Sequence, residues 1–82
     1  MKILYFSWLR EKIGVPFEEV EVRSETVGDL IKELINHDHK YELAFEDIKS
    51  IRVAVDQKII LDLNISIKNA REVAFFPPMT GG

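Results

Sequence analysis

Three observations predict an α+β fold, a mixed sheet of four to five strands covered by one main helix. Short runs at 2–8, 17–22, 51–55, 59–61 and 72–76 have the length and composition of strands. Only one stretch, beginning at Val27, sustains a helical stripe. No repeat, low-complexity segment or linker divides the chain, so the elements must share one core.

Lys2–Trp8 is rich in aromatic and aliphatic residues and predicts the first strand. Leu9–Ile13 suits a short helical turn, which Gly14 ends before Pro16 forces Val15 into an extended conformation. The next run, Phe17–Val22, sets Val20 and Val22 against Glu19 and Glu21, the half-buried alternation of an antiparallel strand beside the first. Thr26 then precedes the main helix, predicted from Val27 to about Asn36. Asp29 sits where a capping box places its third residue, and Val27, Leu30, Ile31, Leu34 and Ile35 form one apolar stripe. Gly28 lowers the local helix propensity, a cost the stripe offsets by packing on the sheet.

His37-Asp38-His39 marks the helix exit, and a further helical turn is expected within Tyr41–Asp47. Ile51–Val55 predicts the third strand, with Arg52 facing outward. Asp56-Gln57-Lys58 turns the chain into the short strand Ile59–Leu61, followed by a loop or 3₁₀ segment at Asp62–Ile67. Glu72–Phe76 is the last strand. Pro77-Pro78 ends it, because neither proline can donate to a ladder. This order satisfies a β-grasp arrangement, with a domain at 1–76 and a C-terminal tail at 77–82.

Composition narrows the chemistry. With 82 residues the chain supports one small core, too little to enclose a large active site. It has no cysteine, which removes disulfides, thiolate ligands and cysteine nucleophiles and agrees with a reducing compartment. Eleven basic residues against fourteen acidic ones give a net charge of −3, without the basic stripe that tracks phosphates, so nucleic acid is not an expected partner. Met1–Phe6 has no signal-peptide apolar region, and no apolar run approaches the roughly 20 residues of a membrane span. A cytoplasmic location is expected, with no membrane partner.

Side-chain chemistry is sparse. His37 and His39 lack evident third and fourth ligands, so no metal site is assigned and they read as a polar helix exit. Glu18, Glu19 and Glu21 read as a solvated strand face and not as an acid/base pair. Ser7, Ser24, Ser50 and Ser66 stand outside any nucleophile elbow, and the four glycines form no phosphate loop, so no cofactor-binding residues are assigned. A small sheet cannot bury both faces, which leaves Phe6, Ile60 and Phe76 open to either core packing or a partner-binding patch.

The last six residues carry no charge, although 25 of the preceding 76 do. A terminal Gly81-Gly82 is compatible with a frayed end. It can also thread a narrow channel and expose its carboxylate, because glycine has no side chain to obstruct the passage.

The complete ending Phe75-Phe76-Pro77-Pro78-Met79-Thr80-Gly81-Gly82 closely resembles that of the small sulfur-carrier subunits of molybdopterin synthase, a ubiquitin-like β-grasp family. Lys2–Phe6, Leu9–Gly14, Thr26–Leu30 and Val53–Asp56 resemble the corresponding family blocks, so the likeness covers nearly the whole chain. Asp56 stands where many relatives carry Asn, and Lys58-Ile59-Ile60 departs from the commoner loop wording.

The resemblance implies that a ubiquitin-activating-like adenylyltransferase uses ATP to adenylate the Gly82 carboxylate, and that a sulfur donor converts it to a thiocarboxylate. The tail then enters the large synthase subunit and delivers sulfur to the cyclic pterin precursor, twice per pterin. Gly82 carries the sulfur, Gly81 permits close passage, and Thr80 and Met79 register the tail. Phe6, Ile60 and Phe76 are the expected partner-facing residues. No tightly bound cofactor is implied, the main catalytic pocket belongs to the large subunit, and the expected assembly is a heterotetramer. The alternatives are a ubiquitin-like protein modifier joined through Gly82 and a thiazole-pathway sulfur carrier.

Overall fold

A computed structural model describes residues 1–78. Five strands form one sheet: β1 (Lys2–Tyr5), β2 (Phe17–Glu19), β3 (Arg52–Val55), β4 (Lys58–Ile60) and β5 (Glu72–Phe76). Their spatial order is β2-β1-β5-β3-β4. The central β1 and β5 run parallel, while β2 pairs with β1, and β3 with both β4 and β5, in antiparallel fashion. Helices α1 (Trp8–Ile13), α2 (Val27–His37) and α3 (His39–Ala44) and a 3₁₀ turn at Ile48–Ser50 complete the chain. This is the ubiquitin-like β-grasp architecture.

One face of the sheet is filled. Ile3 and Tyr5 of β1, Val53 of β3, and Val73 and Phe75 of β5 join Val27, Leu30, Ile31 and Leu34 of α2 in a single buried cluster. Phe75 is its centre: its ring stacks on Tyr5 with centroids 6.2 Å apart and meets the Phe45 ring edge-on at 4.9 Å. Stacked and edge-on pairs of this kind add to the burial of the rings themselves.

α2 begins as expected, with the Thr26 hydroxyl accepting from the Asp29 N–H at 3.1 Å. Its first two N–H groups, those of Val27 and Gly28, donate to the carbonyls of Ile65 and Leu63. The 62–67 loop thus satisfies donors that a helix start leaves unpaired. It also lies against the glycine: a Cβ there would stand 3.4 Å from the Leu63 carbonyl oxygen.

The structure shifts several expected boundaries. β1 ends at Tyr5 instead of Trp8, because Ser7 turns to φ 57° and Trp8 opens α1. Gly14 ends α1 in the left-handed conformation, φ 97°, as its position predicts. β2 stops at Glu19 instead of Val22, although the Val20 N–H still reaches the Met1 carbonyl. His37 belongs to α2. Asp38 then serves as its C-cap and as the N-cap of α3, accepting from the Lys40 N–H, so the expected helical turn starts earlier, at His39.

Candidate functional site

Among the described residues no helix covers the second face of the sheet. Residues directly opposite one another in a ladder share a face, so the register identifies what that face displays. One row runs Phe17, Leu4, Ala74, Ala54, Ile59 across all five strands. A second row places Phe76 opposite Arg52, with Phe6 on the other flank, its N–H donating to the Phe75 carbonyl at 3.1 Å. Phe6 is 46% exposed, Phe17 50% and Ile59 66%. Side chains this apolar and this exposed, continuous over a sheet face, form the kind of patch that marks an interaction surface.

The structure brings Phe6 and Phe76 together. They flank a shallow depression of about 580 Å³ whose floor is Leu4, Ala54 and Ala74 and whose end wall is Pro77 and Pro78. Ile60 is not part of it. The two-residue turn at Asp56-Gln57 sets Ile60 opposite Val53, a core residue, and Ile60 packs against the core. Its neighbour Ile59, opposite Ala54, occupies the open-face position. Parity counted outward from the Asp56-Gln57 turn contains this answer, because both Val53 and Ile60 lie an even number of residues from the Val55/Lys58 pair.

β5 ends at Phe76, and Pro77 and Pro78 follow outside the sheet. A second depression, about 700 Å³, lies on the other side of the two prolines, walled by Ser7, Trp8, Lys12, Asp47 and Ser50. Ser7 borders both depressions, so its positive φ sends Phe6 to one side of the tail root and Trp8 to the other. Met79, Thr80, Gly81 and Gly82, the expected tail residues, lie outside the described residues.

Glu18 corrects its reading as a solvated strand carboxylate. Opposite Ile3, it points to the filled side of the sheet. One oxygen accepts from both Tyr5 Oη, at 2.6 Å, and Tyr41 Oη, at 2.5 Å. Burial pushes both phenols well above the ordinary tyrosine range, and the hydrogen bonds to Glu18 push them further the same way. These groups are structural, tying β1, β2 and α3 together. Among the described residues no group of three His, Asp or Glu side chains converges as a metal site, and His37 and His39 do not form one. No helix there is long and apolar enough to cross a membrane.

An uncovered apolar sheet face thus lies next to the point where the chain leaves its last strand. Residues 3–82 match the ThiS family. The chain belongs to that family. The chain is also similar to molybdopterin synthase sulfur carrier subunits. Of these, the subunit of Haemophilus influenzae is 37% identical over 82 residues, covering 100% of this chain and 99% of that one. The subunit of Escherichia coli K12 is 35% identical over the same coverage. Among solved structures, small archaeal modifier protein 1 of Haloferax volcanii superposes with a TM-score of 0.73 at 26% identity, covering 100% of this chain and 98% of that one. Family membership thus spans both the folded domain and the glycine terminus.

Proposed function

We propose that this chain is a sulfur carrier for molybdenum cofactor biosynthesis, acting through the carboxylate of Gly82. The observation that carries the reading is the end-to-end similarity, 37% identity through the final glycines, to a molybdopterin synthase sulfur carrier subunit. The exposed apolar face, with Phe6 and Phe76 beside the tail root and Ile59 further across it, supports the reading as a surface on which a partner could dock.

In this reading the activating enzyme joins the Gly82 carboxylate to the α-phosphate of ATP and releases pyrophosphate. A sulfur donor displaces AMP and leaves the thiocarboxylate. Within the large synthase subunit the sulfur bonds to the cyclic pterin precursor, and water cleaves the acyl–sulfur link and restores the carboxylate. A dithiolene contains two sulfurs, so two charged carriers serve each pterin. The folded domain contributes recognition and the reach of its tail, while the acid/base and pterin-binding groups belong to the partners. The absence of cysteine fits this role, since the sulfur is held at the chain end and no thiol competes for the activated acyl group.

Intact mass spectrometry after incubation with a cognate activating enzyme, ATP and a sulfur donor tests the proposal. The expected result is an exchange of one oxygen for one sulfur, localised to Gly82. A chain lacking Gly82 should fold normally and acquire no sulfur. Pterin conversion by that truncated chain at the normal rate would refute the mechanism. The similarity to a small archaeal modifier protein supports a second reading, conjugation of Gly82 to a lysine of another protein. Its signature in the same experiment is an isopeptide-linked adduct.

A further inference from the structure

Resting on the carrier reading above, we propose that Arg52 is a specificity-determining residue of the open face. It recognises a carboxylate that the tail-receiving protein, the large synthase subunit, presents beside its apolar recess. The placement comes from register: Arg52 lies directly opposite Phe76, so the row Phe6, Phe76, Arg52 crosses the sheet at the end where Pro77 leads the chain away. A partner that takes up the tail and covers Phe76 therefore reaches the strand position that Arg52 occupies.

Among the described residues the charge at that position has no ion-pair partner. Arg52 is exposed, and its Nη1 donates to the carbonyl of Lys49 at 3.1 Å and of Ile51 at 3.5 Å. Those contacts orient the side chain without neutralising it. Lys49, also exposed, adds a second positive charge beside it, and among the described residues neither cation forms an ion pair. This occurs in a chain with three more acids than bases, so ready intramolecular partners were not lacking in number. At the opposite end of the same face Lys2 lies across from Glu72, and its Nζ sits 4.7 Å over the Phe17 ring.

An apolar row ending in an oriented arginine complements an apolar recess bordered by carboxylate. Arginine suits that task because its planar fork can bind a carboxylate through two parallel hydrogen bonds. Partner proteins lacking the carboxylate would leave the guanidinium partly desolvated and unpaired, which is how a charge discriminates between otherwise similar apolar surfaces.

The test is titration of the full chain against its cognate large subunit, over a range of salt concentration, for wild type, Arg52→Gln, Arg52→Glu and Phe76→Ala. Thermal unfolding of each variant checks that the domain is intact. Charge removal in Arg52→Gln should weaken binding by about 3- to 10-fold and reversal in Arg52→Glu by roughly 10- to 100-fold, mostly through slower association. Both variants should also show a flatter salt dependence than wild type. Wild-type affinity and salt dependence in Arg52→Glu, with Phe76→Ala still weakened, would overturn the role of Arg52 and leave the carrier reading standing. Failure of the wild-type chain to bind the large subunit at all would overturn both.

Discussion

Replacing Glu18 by alanine tests the structure where it departs most from a simple strand pattern. A single carboxylate oxygen takes hydrogen bonds from two tyrosines, Tyr5 at 2.6 Å and Tyr41 at 2.5 Å, whose residues are only 1% and 2% exposed. Leaving a buried hydroxyl without a partner costs about 1–3 kcal/mol. The adjoining depression, lined by Glu18 and Tyr41, admits water to the Tyr41 side, so most of the loss falls on Tyr5. The expected total is about 2–3 kcal/mol, or roughly 10–20 °C in melting temperature for a domain of this size. Urea unfolding followed by circular dichroism measures it, with Glu19→Ala as the control. Glu19 is the next residue on the same strand, faces the opposite way and is exposed. Glu18→Gln keeps an acceptor and should lose only about 1 kcal/mol. Adding Tyr5→Phe to Glu18→Ala should recover part of the stability, since the less solvated of the two orphaned donors is then gone. If Glu18→Ala proved no more harmful than Glu19→Ala, the two phenols would not depend on this carboxylate and the argument would fail.

The lowered acidity of the two phenols has a defined sign. Folding favours the neutral tyrosines, so their contribution is fully present below about pH 10, the unfolded value, and declines as pH rises above it. Ultraviolet titration should show Tyr5 and Tyr41 ionising only as the domain unfolds, and ionisation of all tyrosine within the folded state near pH 10 would contradict this. Gln57 sits at φ 70° in the β3–β4 turn, a left-handed position that costs a side-chain-bearing residue energy. Gln57→Gly should therefore raise stability by about 0.5–1 kcal/mol in chemical unfolding. Phe76→Asp leaves the core-facing Phe75 in place, so it should unfold near the wild-type temperature yet bind the large subunit at least roughly 10-fold more weakly, as measured by calorimetry.

Much of this architecture is written in local pattern. Thr26 before Val27–His37, the left-handed stop at Gly14, and Pro77-Pro78 after β5 each act through near neighbours, and each does in the fold what its position announces. The ending in Gly81-Gly82 is likewise legible without tertiary information, and it was its resemblance to the family ending that carried the expectation of chain-end chemistry. Boundaries were harder where one residue changed the chain's direction against its composition. Ser7 carries no turn signature, yet its positive φ converts the end of an apolar run into the start of α1.

Which side chains share a surface was decided by tertiary structure. Alternation states that Glu18 and Glu19 point opposite ways but not which faces the core; pairing with Ile3, and the arrival of Tyr41 from α3, settled that for Glu18. A one-residue step in register separates Ile60, packed inward, from Ile59 on the open face. Arg52 and Phe76 are far apart in sequence and became neighbours only when β3 and β5 paired. The sequence alone determined a small, cysteine-free β-grasp domain with an uncharged glycine terminus, because those properties rest on composition and short-range preference. Long-range strand pairing determined which residues share its open face, because only pairing sets side chains from distant segments side by side.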